Sequence, residues 1–95
     1  MNRTEMLLVQ LAEECAEVQQ QCCKALRFGL DDVYLPESTE TNAESIQREL
    51  EDLTGIVKML QTERIIEHLN HDNFEKKRIK VEKFMEYSEK RGILT

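Results

Sequence analysis

Apolar residues recur every three or four positions along two long stretches of this 95-residue chain. This spacing places them on one face of an α-helix, which must then be buried against another surface. The only Pro and several turn-forming polar residues lie between the two stretches, in residues 30–42. The pattern predicts two amphipathic helices joined by one loop. Their expected buried faces consist of Leu8, Leu11, Cys15, Val18, Cys22 and Leu26 in the first helix, and of Ile46, Leu50, Leu53, Val57 and Leu60 in the second.

Local signals at the helix ends set the expected boundaries. The first helix is predicted from about Thr4 to Phe28, with Gly29 as its C-terminal cap and Leu30 as the apolar contact of that cap. The sequence Thr41-Asn42-Ala43-Glu44 matches a capping box, so we expect the second helix to begin there. We expect it to end near Leu69.

A third helix is expected to begin at Asp72-Asn73-Phe74-Glu75 and to end before Gly92. Its predicted inward-facing residues are Phe74, Val81, Phe84, Met85 and Tyr87. Residues 1–95 are thus predicted to form one all-α domain, an antiparallel helical hairpin plus a third helix. Many chains of this length bury a workable core and association often adds to it, so we expect oligomerisation to complete a core that resembles a four-helix bundle.

Charge restricts the classes of partner. The formal net charge is −6, and an acidic chain is a poor binder of phosphate backbones. We therefore expect neither nucleic acid nor an anionic membrane as a partner. Seven of the 13 Lys and Arg residues lie within residues 76–91, which suits a small anionic ligand.

The cysteines and the early apolar residues bear on the compartment. Three Cys with no paired spacing argue against a disulfide framework, and Cys15 and Cys22 are expected to be small buried hydrophobes. The apolar run Met6–Val9 is too short for a signal peptide or a membrane span. These features predict a cytoplasmic protein, in the host cytoplasm if the chain is phage-encoded.

Two pairs of acidic residues border the predicted apolar faces. Glu14 and Glu17 each precede an apolar position of the first helix, and Glu49 and Asp52 do the same in the second. If the helices pack through these faces, the four carboxylates meet at one seam and repel one another. A divalent cation would remove this repulsion, and oxygen ligands select Mg²⁺ or Mn²⁺, ions that also bind substrate phosphates. The alternative is a solvated acidic helix edge.

The acidic residues also carry a family resemblance. Glu13-Glu14-x-x-Glu17, followed on the next helix by Glu49-x-x-Asp52, resembles the paired motif of the MazG-like all-α nucleoside triphosphate pyrophosphohydrolases. The phrases KALRFGLDD, ELEDLTGIVKML and KVEKFMEYSEKRGIL resemble the small, single-domain, phage-type members. The resemblance covers nearly the whole chain.

The resemblance implies a site and a reaction. Glu14, Glu17, Glu49 and Asp52 would coordinate Mg²⁺, for which Mn²⁺ is a possible substitute, and Glu13 would support them as a further catalytic acid. The substrate would be a nucleoside or deoxynucleoside triphosphate, hydrolysed at the α-phosphorus to a monophosphate and pyrophosphate. Members of the family assemble as dimers or tetramers, so we expect a homodimer or a homotetramer.

Phosphate groups also require cations. Lys24 follows the acidic residues along one helix face, and Arg27 lies close to it. Lys80 and Lys83 are the expected contributors from the third helix. These four residues are the predicted substrate-binding residues. The alternative for each is a solvated side chain near a helix end.

Three other functions were weighed. A di-iron carboxylate bundle needs Glu-x-x-His, and no Glu in the chain has a His three residues later. A non-enzymatic helical dimerisation or adaptor protein explains the apolar spacing and the charge, but not the matching placement of the acid pairs. A pyrophosphohydrolase of the same superfamily acting on another nucleotide, such as phosphoribosyl-ATP, stays open, as do the base and the sugar of the substrate.

Overall fold

The computed structural model describes residues 1–95 and contains three α-helices and no strand. These are α1 (Arg3–Phe28), α2 (Asn42–Thr62) and α3 (His71–Lys90). Helices α1 and α2 pack against each other, whereas no Cα atom of α3 lies within 8 Å of a Cα atom of either. The predicted all-α class and the three helices are confirmed. None of the helices combines the length and the apolar character needed to span a bilayer.

Hydrogen bonds tie the α1–α2 hairpin together at both ends. At the open end, the Arg3 guanidinium donates to both carboxylate oxygens of Glu63 over 2.9–3.1 Å. At the loop end, the Asn42 side-chain amide donates to the Gly29 carbonyl over 2.8 Å, and the Asn42 N–H donates to the Asp32 carbonyl. The start of α1 therefore lies beside the end of α2, and the two helices are antiparallel.

The caps that surround the loop follow the sequence signals closely. The Thr41 hydroxyl accepts from the Glu44 N–H over 3.1 Å, and the Glu44 carboxylate accepts from the Thr41 N–H over 3.0 Å. The predicted capping box is confirmed, and these bonds lower the pKa of Glu44. Gly29 ends α1 with φ +98° and donates its N–H to Ala25, but Leu30 is exposed and the expected apolar contact is absent.

The end of α2 corrects the sequence prediction. The helix stops at Thr62, well before Leu69, because Arg64 adopts a left-handed conformation with φ +58°. The Ile65 N–H then donates to the Leu60 carbonyl over 2.9 Å and closes the last turn. A non-glycine residue costs about 1–2 kcal/mol in this conformation. The hydrogen bond from Ile65 to Leu60 is the one expected when a left-handed residue ends a helix.

Helix α3 begins and ends close to its expected bounds but has no buried residue. Its N-cap is Asn70, ahead of the predicted start, and its side-chain oxygen accepts from the Asp72 N–H over 2.8 Å. Its end before Gly92, which has φ +79°, is as expected. Of the predicted inward-facing residues, only Val81 is half-buried, and Phe74, Phe84, Met85 and Tyr87 are exposed.

The face that α1 buries in the hairpin differs from the predicted one. Only Leu7 and Leu60 are buried apolar residues, and the other buried residues are polar, namely Asn42, Ser45 and Glu49. The prediction of buried side chains was wrong for Leu8, Cys15, Cys22 and Leu26 of α1 and for Leu50 of α2, which are all exposed in the single chain. Helix α1 carries apolar residues on two adjoining faces, and the hairpin uses the one that contains Leu7 and Val18.

Candidate metal centre

Three acidic side chains converge between α1 and α2. Glu14 and Glu17 lie one turn apart on α1, and Glu49 lies on the inner face of α2, where it is only 5% exposed. One carboxylate oxygen from each of the three lies within 4.8 Å of the other two. The structure thus brings together three of the four residues that the sequence marked as metal ligands. We call Glu14, Glu17 and Glu49 the acidic cluster.

Two oxygens of the acidic cluster are buried without a hydrogen-bond partner. They are Oε2 of Glu14 and Oε2 of Glu49. The other oxygen of Glu49 accepts from Nη1 of Arg48 over 3.0 Å, which leaves Oε2 as the free ligand atom of a buried carboxylate. Burying an ionised oxygen without a partner is costly, so the cluster favours either a proton or a cation at this point. An all-oxygen donor set suits a hard divalent ion.

The electrostatics of the cluster point the same way. Burial, followed by the negative charges of Asp52, Glu49 and Glu13, raises the pKa of Glu14. The pKa of Glu17 is raised first because its protonated form can donate a hydrogen bond to the Glu49 carboxylate, and then by the negative charges of Glu49 and Glu14. Both carboxyl groups hold a proton more tightly than isolated glutamates do, because their surroundings are negative and short of donors. The same surroundings attract a metal cation.

Asp52 and Glu13 lie at the margin of the cluster. Asp52 is outside the group of three, and its side chain is about half exposed. Its charge nevertheless raises the pKa of both Glu14 and Glu17. Glu13 is exposed and acts on Glu14 through its charge. Neither residue is held against the three converging oxygens, so their predicted roles stay predictions.

Of the four predicted substrate-binding cations, only Lys24 lies beside the site. It lines a cleft of about 530 Å³ bounded by the end of α1, the loop and the start of α2. Arg27 is exposed, with its guanidinium carbon 5.3 Å from the centre of the Phe28 ring. Lys80 and Lys83 belong to α3, which contacts neither hairpin helix. Within one chain, these two lysines are not brought to the acidic cluster.

Sequence reasoning missed Arg48, which joins the cleft to the acidic cluster. It lines the cleft, and its Nε donates to both carboxylate oxygens of Glu40 over 3.0 and 3.2 Å. Its Nη1 donates to Glu49 and lies 3.9 Å from an oxygen of Asp52. The available signal was the opposite charge of Arg48 and Asp52 four positions apart on one helix.

No family model matches the chain, and neither the curated proteins nor the solved structures compared with it give a match. The relation to MazG-like enzymes is therefore a prediction from motif and phrase resemblance. The fold and the site define a class, namely an all-helical protein in which carboxylates from two antiparallel helices converge and one of them, Glu49, is buried.

Proposed function

We propose that the chain is a Mg²⁺-dependent nucleotide pyrophosphohydrolase that converts nucleoside or deoxynucleoside triphosphates to monophosphates and pyrophosphate. One observation carries the proposal. Three carboxylates from two helices place oxygens within 4.8 Å of one another, and two of the buried oxygens in this cluster have no hydrogen-bond partner. Acid pairs on a solvated helix edge would not be buried, so the placement of Glu49 favours a ligand-binding role.

The donor set indicates which ion the cluster would hold. Glu14, Glu17 and Glu49 offer only oxygen atoms, and no His or Cys belongs to the group. Zinc and copper sites in proteins are built mainly from nitrogen and sulfur, whereas Mg²⁺ and Mn²⁺ take carboxylates together with substrate phosphates. When bound, the ion supplies positive charge to the phosphate oxygens and lowers the pKa of a water molecule.

The protein's own groups then have defined tasks in the proposed reaction. The oxygen of a water molecule bonds to the α-phosphorus, the bond from that phosphorus to the bridging oxygen breaks, and pyrophosphate leaves with the electron pair. The proton of the water passes to a carboxylate of the acidic cluster. Lys24, which is half-buried on the wall of the cleft, would contact the phosphate groups.

We further propose that the active form is a homodimer or a homotetramer. A single chain buries only two apolar residues, Leu7 and Leu60, and leaves large apolar side chains exposed on α1 and α3. A monomer with so little buried apolar surface has little to offset its loss of conformational entropy. An oligomer is also the arrangement in which α3 can approach an acidic cluster, that of another copy.

Product analysis tests the reaction directly. The purified protein is incubated with Mg²⁺ and each common NTP and dNTP in turn, and with phosphoribosyl-ATP, and the products are resolved. We expect monophosphate and pyrophosphate, with formation lost in Glu14→Gln and on removal of the metal by a chelator. Diphosphate and inorganic phosphate would instead indicate cleavage at another phosphorus and contradict the proposal.

A non-enzymatic dimerisation or adaptor protein is the second candidate, and the exposed apolar residues of α1 and α3 favour it. Association alone, however, gives no reason to bury unpartnered carboxylate oxygens. If no nucleotide is hydrolysed and millimolar Mg²⁺ leaves the melting temperature unchanged, the adaptor function is the better explanation. A melting temperature that rises with Mg²⁺ supports the metal site.

A further inference from the structure

Arg48 is the one cationic residue that forms an ion pair with the acidic cluster. Its Nη1 lies 3.0 Å from Oε1 of Glu49, and no other Lys or Arg pairs with Glu14, Glu17 or Glu49. The Arg48 side chain is 47% exposed and also lines the 530 Å³ cleft. It therefore faces the cleft and the cluster at once. None of the four predicted substrate-binding cations has this position.

The guanidinium of Arg48 is held in place and still has free donors. Nε is held by Glu40 and Nη1 by Glu49, whereas Nη2 forms no hydrogen bond with the protein. A guanidinium carries five N–H donors in a fixed planar arrangement that matches phosphate oxygens. Because two of its nitrogens are already positioned, binding an anion through the free edge costs little additional side-chain entropy.

We propose that Arg48 binds the phosphate groups of the substrate. The inference rests on the proposed function, because it places a polyphosphate beside the acidic cluster. The free Oε2 of Glu49 belongs to the same carboxylate that Arg48 contacts through Oε1. A divalent cation held by this free oxygen and by substrate phosphates would bring those phosphates beside the carboxylate that Arg48 contacts. The free Nη2 of Arg48 would then donate charge-assisted hydrogen bonds to phosphate oxygens.

A matched control exists at the other end of the hairpin. Arg3 contacts both carboxylate oxygens of Glu63, through Nε and Nη2 over 2.9–3.1 Å, much as Arg48 contacts both oxygens of Glu40, and it joins the start of α1 to the C-cap of α2. Arg3 lies at the open end of the hairpin and is not among the residues that line the cleft. Arg3→Ala therefore removes an interhelical Arg–Glu pair without touching the cleft or the acidic cluster.

The experiment compares Arg48→Ala, Arg48→Lys and Arg3→Ala with the unmodified chain. The probe is inorganic triphosphate with Mg²⁺, whose dissociation constant is measured by calorimetry, alongside KM and kcat for the best nucleotide. We expect Arg48→Ala to raise the dissociation constant and KM about tenfold or more, since hydrogen bonds to charged groups are worth about that factor. Arg48→Lys should give a dissociation constant and a KM between those of the unmodified chain and Arg48→Ala, because it keeps the charge but loses the planar donors.

A third measurement separates binding of phosphate from support of Glu49. The rise in melting temperature caused by Mg²⁺ alone should persist in both Arg48 variants, because Glu14, Glu17 and Oε2 of Glu49 are intact. Loss of that rise would mean that Arg48 only orients Glu49, and would overturn the inference. So would an unchanged dissociation constant for triphosphate in variants of an active enzyme. A wild-type chain that neither responds to Mg²⁺ nor hydrolyses nucleotides would instead overturn the proposed function, and this inference with it.

Discussion

The α1–α2 hairpin and α3 owe their order to different causes. The hairpin is tied at both ends by side-chain hydrogen bonds, and its interface buries Asn42, Ser45 and Glu49. Helix α3 contacts neither partner helix and has no buried residue. Most of the stability of helices in proteins comes from tertiary packing, which α3 lacks within the single chain. The hairpin is thus organised around polar groups, and α3 offers apolar side chains to a surface outside the single chain.

The acidic cluster lowers the stability of the hairpin. Glu49 takes an inner position on α2 that an apolar residue would fill in a helix selected for stability alone. The neighbouring Glu14 and Glu17 have raised pKa values, so their ionised forms weaken the fold at neutral pH, and such local conflicts are concentrated at functional sites. Helix α3 contains no comparable conflict, which fits a role in assembly.

The largest expected effect is that of Glu49→Gln, which keeps the shape of the side chain and removes its charge. We expect the Mg²⁺-dependent rise in melting temperature to vanish and kcat to fall roughly hundredfold or more, because a metal ligand is lost. Thermal melts with and without Mg²⁺, together with the product assay, measure both. Glu51→Gln is the matched control, since Glu51 is exposed on the same helix. If both variants show the same Mg²⁺-dependent rise in melting temperature and the same kcat, Glu49 is not a metal ligand.

The next effect concerns the small apolar core of the hairpin. Leu60 is 1% exposed, and Leu60→Ala should lower the free energy of unfolding by about 2–5 kcal/mol, through lost transfer energy and a residual cavity. Urea unfolding at a fixed protein concentration gives the value. Met59→Ala serves as the control, because the neighbouring Met59 is 39% exposed and its truncation should cost less. A comparable loss in both variants would mean that the interface of the hairpin lies elsewhere.

The third effect bears on α3. Phe84 is 58% exposed in the single chain, and Phe84→Glu should raise the dissociation constant of the oligomer about tenfold, as truncation of an aromatic interface residue commonly does. Sedimentation over a dilution series measures this. Asn73→Glu introduces the same charge at an exposed polar position of α3 and should change association little. If Phe84→Glu leaves association unchanged, the exposed side of α3 that carries Phe84 is not the interface of the oligomer.

The smallest expected effect is a dependence of stability on pH. The pKa values of Glu14 and Glu17 are raised in the folded state, so that state binds protons more tightly than the unfolded chain, whose glutamates titrate near 4.3. Without metal, these two groups should therefore add stability as the pH falls through their raised pKa values, whereas Glu44 and Glu63, whose pKa values are lowered, lose stability over the acidic range. The melting temperature of the unmodified chain relative to that of Glu14→Gln/Glu17→Gln isolates the two groups and should rise on acidification. With Mg²⁺, acid displaces the ion, so this relative rise should shrink or reverse. A metal-free difference between the two chains that falls on acidification would contradict the assigned pKa directions.

Local sequence signals predicted the helix ends well where a residue type that commonly caps helices occupies the capping position. Thr41 and Glu44 form the expected capping box, and Gly29 and Gly92 follow the ends of α1 and α3. The end of α2 was missed because Arg64 takes the left-handed position that glycine normally fills. No residue near position 64 is a Gly or an Asn, so the local pattern contains no signal for a helix end there.

The acidic cluster was predictable in part. The spacing of Glu14, Glu17 and Glu49 within their helices placed all three near one seam, which the structure confirms. The identity of the buried face was not predictable in α1, because Leu7 and Leu8 begin two adjoining apolar faces. The position of Arg48 was not predictable, because its side chain is held by Glu40, a loop residue whose position depends on how the loop folds.

The exposed thiols of α1 provide a natural reporter of assembly. Cys15 and Cys22 lie two turns apart on the face that the hairpin leaves uncovered, and Cys23 is rotated from them by about 100°. A maleimide reagent should modify all three in a dissociated chain. In an oligomer that covers this face, Cys15 and Cys22 would react slowly while Cys23 stays reactive. Peptide mapping of the modified residues would thus identify the covered side of α1 without any substitution in the protein.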